Sequence, residues 1–393
     1  MDTWEVFYGL DEAYFSSKNC IFTSAEIARQ SALWRNLGVI LSQKRGEILA
    51  FIKKMGGLEG RRIVLTGAGS SAYAGEAAAM MVGKSAGLRA ESVHTTDIVS
   101  VPHSVLFPDL PTLLISFGRS GNSPESIGAV EYARKIVKDL YEIALVCDYE
   151  SKLAKITAES GRGLAFIMPE GSCDKGFAMT SSFTCMTLAC CAVLGAGNFD
   201  TFIEDIGRLA AAVDGKKDAL VTAARKWAAV DYDRLIVLGS GCQKGLAREG
   251  ALKSMELTTG IVNTGWDSPM GFRHGPKAVI TDKTLTVHFI SPDPFTARYD
   301  LDLLAEICRQ KKGNRVIALS GEKLSIPVDE NIVIGGENYG FGQDICRGLS
   351  YLFFCQLLAM FKSLALGLST DNPVPTGELT RVVSGVTLYD LKD

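Results

Sequence analysis

Three charged side chains recur on one helical face in the second half of the chain. Glu249, Lys253 and Glu256 stand at i, i+4 and i+7 within Arg248-Glu-Gly-Ala-Leu-Lys-Ser-Met-Glu, a spacing that places them on the same side of a helix. Carboxylates and an amine held together are candidates for general acid–base catalysis. The same spacing is also typical of a solvated helix face with a favourable Glu–Lys pair, and spacing alone favours that second interpretation.

A histidine follows these charges on a segment that predicts a loop. His274 lies within Gly271-Phe-Arg-His-Gly-Pro, where glycine and proline interrupt regular structure. A lone histidine is more often structural than catalytic, but functional residues concentrate on loops. Because imidazole titrates near neutral pH, His274 is a candidate acid and base.

The first half carries three turns rich in hydroxyl groups, each at the predicted start of a helix. A glycine turn that opens a helix presents free backbone N–H groups and the positive end of the helix dipole, which favours an anion such as phosphate. The alternative is that these Ser and Thr side chains are simply N-caps. The turns lack the Lys of a Walker A loop and the GxGxxG spacing of a dinucleotide site. The candidate anion-binding residues are Ser70, Ser71, Arg119, Ser120, Asn122, Ser123 and Ser181.

An internal repeat sets the scaffold for these residues. The segment RIVLTGAGSSAYAGE, which begins at Arg62, resembles RLIVLGSGCQKGLAREG, which begins at Arg234, 172 residues later. Three further apolar runs recur at similar offsets, and each half closes with a long apolar helix, around Ser182–Gly195 and Asp344–Leu368. Strands that alternate with helix-length segments predict two α/β/α sandwiches, each with a parallel sheet. The second copy has Gly239-Ser-Gly but continues with Cys242-Gln-Lys, so we expect it to have kept the scaffold and lost the phosphate pocket.

The repeat predicts four segments along the chain. The arm contains Thr23-Ser-Ala-Glu, which predicts a helix with Thr23 or Ser24 as N-cap and Glu26 near N3. The tail contains Pro373 and Pro375 and is predicted to be irregular. The predicted bounds are 1–40 for the helical arm, 41–205 for the first sandwich, 206–370 for the second sandwich with the catalytic helix and His loop, and 371–393 for the tail.

Composition excludes several classes of protein. The chain has 393 residues, is 47% hydrophobic, and carries 41 Lys+Arg against 44 Asp+Glu, so it lacks the basic excess of a nucleic-acid or anionic-membrane protein. The apolar stretch Tyr351–Leu368 contains Gln356 and Lys362, which favours a buried core helix over a membrane span. Ten cysteines without a CxxC pair, unclustered histidines and no apparent signal peptide predict a cytoplasmic protein with reduced thiols and no metal or cofactor.

The three turns, GAGSSAYAGE, SFGRSGNSPES and MTSSFT, resemble the phosphosugar-binding turns of sugar isomerase (SIS) domains. Over residues 20–390 the chain resembles the galactosamine-6-phosphate deaminase / tagatose-6-phosphate ketose-aldose isomerase family, most specifically in TSAEIARQSALW, CDKGFAMTSSFT and SPMGFRHGPKAVI. The isomerase half of glucosamine-6-phosphate synthase is a more distant relative. The resemblance implies two tandem SIS domains and a sugar-phosphate substrate.

The synthase-like pattern EGALKxxE…HGP implies a role for each residue of the second half. Glu256 moves the proton between C1 and C2 of the sugar, His274 opens the ring, and Glu249 and Lys253 support them. In the synthase the histidine comes from the neighbouring subunit, which implies a homodimer or higher oligomer with a shared site. The chain departs from the synthase in its tail. There the synthase has a Lys that forms an imine with the sugar, whereas this chain has Arg381 near that position, which stays protonated and cannot form an imine.

Three functions follow from these residues. The first is an amino-sugar-phosphate deaminase/isomerase that converts galactosamine 6-phosphate and water to tagatose 6-phosphate and ammonia. The second is a phosphosugar aldose–ketose isomerase without deamination. The third is a non-catalytic phosphosugar sensor, although the arm is too short and too little basic to hold a helix-turn-helix. The sequence leaves three points open: whether the substrate has the galacto or gluco configuration, whether the protein is a dimer or a tetramer, and what Arg119 does.

Overall fold

The computed structural model describes residues 3–376 and 385–391, and these residues form two compact units. The first unit contains 33–174, 181–204 and the described residues of 377–393, and the second unit contains the described residues of 1–32 with 175–180 and 205–376.

Helices account for much of the described chain. The α-helices are α1 (Thr3–Tyr8), α2 (Glu12–Ser17), α3 (Ile21–Ala28), α4 (Gln30–Lys54), α5 (Ser70–Ala86), α6 (Thr95–Ser100), α7 (Pro102–Val105), α8 (Pro124–Ile136), α9 (Lys152–Glu159), α10 (Ser181–Leu194), α11 (Phe199–Ala228), α12 (Cys242–Leu257), α13 (Pro269–Phe272), α14 (Pro294–Arg309) and α15 (Gln343–Ala365). Short 3₁₀ helices occupy Ala196–Asn198 and Pro276–Val279.

The strands fall into two sheets of five. They are β1 (Arg62–Thr66), β2 (Ala90–Ser92), β3 (Thr112–Gly118), β4 (Leu140–Val146), β5 (Gly163–Ile167), β6 (Arg234–Leu238), β7 (Asn263–Asp267), β8 (Thr284–Phe289), β9 (Arg315–Ser320) and β10 (Glu330–Val333). The first unit holds the sheet β2-β1-β3-β4-β5 and the second unit holds β7-β6-β8-β9-β10, and every pairing is parallel.

The two sheets share strand order and, at their centres, register. Ile63 pairs with Leu113 in the first sheet, and Leu235 pairs with Leu285 in the second, which are the positions 172 residues later. The central strands are buried along their length, as expected for a parallel sheet covered on both faces. The predicted α/β class with two parallel sheets is therefore confirmed.

The structure contains two edge strands, β2 and β7, that were not predicted from the sequence. Ala90–Ser92 and Asn263–Asp267 are short, partly exposed and polar, so neither has the apolar run that marks a buried strand. The sequence-based expectation covered the central strands and missed these two edges.

The predicted capping of the arm helix is wrong. α3 begins at Ile21 with Cys20 at the N-cap position and no side-chain cap, so neither Thr23 nor Ser24 serves there. The carboxylate of Asp371 instead accepts the backbone N–H groups of Phe22 and Thr23, each at 2.8 Å. Glu26 accepts the N–H of Lys175 at 2.5 Å, so its carboxylate binds a distant loop.

Two apolar helices form the centres of the units. All residues of α10 are buried in the first unit. In the second unit α15 is long and apolar enough to cross a membrane, but 94% of its most apolar window is buried inside the protein. A helix surrounded by protein in this way serves as a core element, in agreement with the prediction for Tyr351–Leu368.

The predicted domain bounds fall inside two long helices. The bound between 40 and 41 lies within α4, and the bound between 205 and 206 lies within α11. Residues 371–376 are irregular, as are 385–391, where Leu391 packs against the core of the first unit. The four-segment division of the chain stays a prediction.

Candidate active site

The first hydroxyl-rich turn joins β1 to α5. Gly69 adopts φ 56° and ψ −128°, which glycine alone accepts readily, and the helix starts at Ser70. A Cβ on Gly67 would come within 2.5 Å of Ser71 Cβ, so the turn closes tightly on the helix. The Gly67 carbonyl accepts the N–H of Thr95 at 2.9 Å, which fixes the turn from outside.

The second turn follows β3 and leads into α8. Gly121 has φ 61°, and Ser120 Oγ accepts the N–H of Asn122 at 3.3 Å. Asn122 Oδ1 accepts the N–H of Lys152 at 2.9 Å, so this side chain holds the loop against α9. Ser123 is the N-cap residue of α8, and its hydroxyl lies 2.7 Å from that of Ser126. Arg119 is half-buried, and its carbonyl accepts a long hydrogen bond from Cys173 Sγ.

The third turn is closed by a carboxylate of the protein itself. Asp174 is fully buried and accepts the N–H of Ser181 at 3.1 Å and of Ser182 at 2.9 Å, and the Ser182 hydroxyl donates to it as well. These N–H groups belong to the first turn of α10, where an internal anion is favoured by the helix dipole. Asp174 therefore caps α10, and Ser181 is fully buried at that end.

The first two turns meet at one place on the first sheet. β1 and β3 are neighbours, and the order β2-β1-β3-β4-β5 changes direction between them. Ligands of open α/β sheets bind beyond the carboxyl ends of the strands at such a switch point. The structure thus brings the loops of Ser70–Ser71 and Ser120–Ser123 to the position that the fold favours for an anion.

At the corresponding edge of the second sheet, a buried carboxylate of the protein joins two of the turns. Gly241 has φ 59° and ψ −132°, which is the same turn geometry as at Gly69. The buried carboxylate of Asp300 accepts the Ser240 hydroxyl and, at 2.9 Å, the N–H of Ser291, so it joins the turns after β6 and β8. Burial raises the pKa of Asp300 to about 6, against the opposing effect of these two hydrogen bonds. The predicted loss of the phosphate pocket in the second copy stays a prediction, and Asp300 supplies a physical reason for it.

The charged residues of α12 do not form a solvated face. The side chain of Glu249 is fully buried and that of Lys253 is 1% exposed, whereas that of Glu256 is 25% exposed. Lys253 Nζ lies 3.2 Å from Glu249 Oε1 and 2.6 Å from Glu256 Oε2. The three side chains are therefore one ionic group, with a single carboxylate at the solvent-accessible end.

The lysine stays charged between its two partners. Burial lowers the pKa of Lys253, but the charges of Glu249 and Glu256 and their hydrogen bonds more than offset burial, so the pKa is raised. A buried ammonium between two carboxylates costs desolvation energy, and such groups concentrate at functional sites. Lys253 can hold the Glu256 carboxylate in place.

His274 lies on the short segment between α13 and the 3₁₀ helix Pro276–Val279. Ser268 caps α13 by accepting the N–H of Gly271 at 3.1 Å, and the His274 N–H donates to the Gly271 carbonyl at 2.9 Å. Gly275 follows with φ 120°, a conformation that L side chains rarely adopt. The imidazole is exposed, and within the described part of the chain it makes no hydrogen bond or ion pair.

The segment between α12 and His274 contains the edge strand β7. Two side chains of α12 contact this strand. The Arg248 guanidinium lies 4.5 Å from the centre of the Trp266 ring, a cation–π contact, and Lys244 Nζ lies 3.2 Å from Asp267 Oδ1. These contacts fasten β7 to α12 next to the ionic group.

Sequence reasoning found the turns and the helix but missed the buried carboxylates that organise them. Asp174 precedes Ser181 by seven residues and Asp300 lies inside α14, so neither has a local motif that signals its partner. Arg381 lies outside the described residues. Among the residues that the structure does describe, no group of three or more His, Cys, Asp or Glu could hold a metal ion.

Known proteins resemble this chain along nearly its whole length. The SIS domain family matches residues 59–196. D-galactosamine-6-phosphate deaminase AgaS of Shewanella sp. (strain ANA-3) is 38% identical over 94% of this chain and 92% of the relative. The solved tagatose-6-phosphate ketose/aldose isomerase from Escherichia coli is 35% identical, with a TM-score of 0.85 over 95% of this chain and 97% of that one. The C-terminal domain of glucosamine-fructose-6-phosphate aminotransferase from Francisella tularensis, at 18% identity and a TM-score of 0.73, shares the fold.

Proposed function

The chain belongs to the D-galactosamine-6-phosphate deaminase AgaS family, and from this premise we propose that it converts galactosamine 6-phosphate and water to tagatose 6-phosphate and ammonia. The observation that carries the chemistry is the ionic group of α12. A partly exposed carboxylate, Glu256, is held by a lysine that is itself buried against a second carboxylate, Glu249.

The proposed reaction begins with ring opening. His274 donates a proton to the ring oxygen and accepts one from the C1 hydroxyl, which gives the open-chain amino aldehyde. An exposed imidazole on a loop is free to meet a sugar, including one bound to a neighbouring subunit.

Glu256 then moves one proton from C2 to C1. Removal of the C2 proton, with protonation of the C1 carbonyl oxygen, gives an enolamine. Return of the proton to C1, with loss of one proton from nitrogen, gives a C2 imine that carries a C1 hydroxyl group, so the proton gained by the oxygen balances the one lost by nitrogen. Lys253 holds the Glu256 carboxylate in place for this transfer, because its ammonium lies 2.6 Å from Glu256 Oε2.

Water completes the proposed reaction. It adds to the C2 imine, and the carbinolamine expels ammonia to leave the C2 ketone. The atoms of the amino sugar phosphate and one water are thereby divided between ketose phosphate and ammonia, and no redox partner is needed.

The phosphate is assigned to the first sheet. Ser70, Ser71, Ser120 and Ser123 at the β1/β3 switch point supply hydroxyl and backbone donors, and Arg119 on the same loop adds a cation. Ser181 borders this group, with its N–H already donated to Asp174. We assign Asn122 a supporting role because its side chain holds the loop.

We propose a cytoplasmic homodimer or higher oligomer in which His274 is shared between subunits, with no nucleic-acid or membrane partner. Cross-complementation tests the shared site. Mixed oligomers of the strongly impaired Glu256→Gln and His274→Asn chains regain activity if each site takes the two residues from different subunits, and remain impaired if both come from one.

An ammonia assay tests the reaction itself. Purified protein is incubated with galactosamine, glucosamine and mannosamine 6-phosphates, and ammonia and ketose phosphate are quantified together. Equal amounts of both products from galactosamine 6-phosphate support the proposal. Absence of ammonia with all three substrates rejects deamination.

A second function has its own support in the likeness to tagatose-6-phosphate ketose/aldose isomerase. An enzyme of that type uses the same Glu256 and His274 on a sugar phosphate without nitrogen. Ketose formation from galactose 6-phosphate, with no ammonia from any hexosamine 6-phosphate, would favour it. Binding of sugar phosphates without any turnover would indicate a sensor.

A further inference from the structure

One carboxylate contacts the loop of His274 on both sides. Arg273 directly precedes the histidine, and its Nη2 lies 3.0 Å from Glu306 Oε2. Lys277 follows three residues after it, and its Nζ pairs with the other oxygen, Glu306 Oε1. Glu306 belongs to α14, and all of these residues lie in the second unit.

Apolar contacts seat the same loop on the same helix. Phe272 and Ile280, at the two ends of the loop, are buried in one core cluster with Leu303 and Ile307 of α14. Glu306 lies between these two residues in the sequence of α14. The backbone around His274 is thus held to α14 by an apolar anchor and an ion pair on each flank.

The imidazole depends on this attachment for its position. His274 is exposed, and its imidazole makes no hydrogen bond or ion pair with any of the described residues. Nothing local to the ring fixes it, so the path of the backbone from Arg273 to Lys277 decides where the ring lies. That path includes Gly275 at φ 120°.

We propose that Glu306 is a positioning residue for the ring-opening step, acting through His274. This rests on the proposed function, because it takes His274 to be the acid and base. Without the carboxylate, Arg273 and Lys277 become neighbouring unpaired cations, and their repulsion moves the loop. Partly exposed ion pairs add little to stability, whereas a displacement of about 1 Å near the reacting atoms can cost on the order of 10²-fold in rate.

The test measures kcat and KM for ammonia release from galactosamine 6-phosphate by the full-length protein. The variants are Glu306→Ala, the conservative Glu306→Asp and the matched control Asp302→Asn. Asp302 lies one turn earlier on α14, is exposed, and makes no ion pair among the described residues. We expect Glu306→Ala to lower kcat roughly 10- to 100-fold with KM within about threefold. Glu306→Asp should regain part of the loss, and Asp302→Asn should match the wild type.

Repeating the Glu306→Ala substitution in a His274→Asn protein distinguishes an effect on the position of His274 from a general loss of activity. In a His274→Asn protein, which should retain measurable turnover after a loss of about 10²-fold, Glu306→Ala should cause no further decrease in kcat. A decrease of equal size in both backgrounds, or an unchanged kcat in the wild-type background, would overturn the proposal. If His274→Asn alone leaves ammonia release unchanged, the assignment of His274 is what fails.

Folding is followed by the midpoint of thermal unfolding, which we expect to shift little in every variant. If Glu306→Ala does not fold, Arg273→Ala and Lys277→Ala replace it, since each removes one of the two ion pairs. Each should then lower kcat in the wild-type background and leave it unchanged in the His274→Asn background. Failure of both to lower kcat overturns the proposal as well.

Discussion

The carboxyl edges of the two sheets share the geometry of one backbone turn but differ in the side chains around it. Each has a glycine turn of the same shape after its first strand, at Gly69 and at Gly241. In the first sheet this turn leads into Ser70 and Ser71. In the second sheet it leads into Cys242 and Gln243, and the carboxylate of Asp300 joins the turns after β6 and β8. The same turn is thus followed by serine hydroxyls in one copy, and in the other copy it is bound by a buried carboxylate of the protein.

The helices that follow these turns differ as well. α5 is rich in alanine and packs as part of the first core, whereas α12 carries the Glu249–Lys253–Glu256 ionic group. The difference suggests a division of labour in which the first copy binds the phosphate and the second performs proton transfer. Three predictions can break or sharpen this comparison.

The largest expected effect is on proton transfer by α12. Glu256→Gln should lower kcat by roughly 10³- to 10⁴-fold, because an amide cannot accept the C2 proton. KM should change little, since the phosphate contacts lie on the first sheet. Steady-state ammonia release gives both constants, and binding of galactosamine 6-phosphate followed by calorimetry serves as the control. Full turnover by this variant would mean that another residue is the base.

A smaller effect distinguishes the two carboxyl edges directly. Ser120→Ala should raise KM about tenfold with little change in kcat, because one hydrogen bond to a charged group is worth about 1.5 kcal/mol. Its matched control is Ser240→Ala in the second copy, where the lost hydroxyl binds Asp300 rather than substrate. KM should then stay within about twofold of the wild-type value. Equal increases in KM for the two variants would contradict the division of labour.

The smallest effect is on stability and concerns Asp300 alone. Its folded pKa of about 6 lies above the value of roughly 3.9 for an unfolded Asp, so the folded protein binds this proton more tightly. The contribution of Asp300 to the free energy of unfolding should therefore decrease as pH rises from about 4 to 6 and then level off. Asp300→Asn cannot ionise and should lack this decrease. Urea unfolding of both proteins at pH 4.5, 5, 6 and 7 gives the free energy of unfolding at each pH. If that free energy depends on pH in the same way in both proteins, Asp300 does not titrate in this range.

Much of the fold could be predicted from the sequence because local patterns determine it. The central strands are apolar runs such as Arg62–Thr66, and the repeat offset predicted their partners in the second half. The strands β2 and β7 escaped prediction because they are short and polar, and only pairing with a neighbour makes them strands. The helix α3 was assigned the wrong cap because it begins earlier, at Ile21, where Asp371, far away in sequence, accepts the N–H groups of Phe22 and Thr23.

The candidate site shows the same limit. Spacing placed Glu249, Lys253 and Glu256 on one face but favoured exposure to solvent, and only the packing around α12 shows that Lys253 is buried between carboxylates. Asp174, Asp300 and Glu306 each act on a segment that is remote in sequence or lies on another element. A pattern confined to one segment does not contain such partners.

The link between Asp371 and α3 has a consequence for synthesis of the protein in the cell. The helix receives its capping carboxylate from a residue 348 positions after Thr23, so the ribosome delivers the two groups at very different times. At about 5–20 residues per second the interval is roughly 20–70 s. During that time α3 of the nascent chain lacks its cap, and it acquires this partner only after Asp371 has been synthesised.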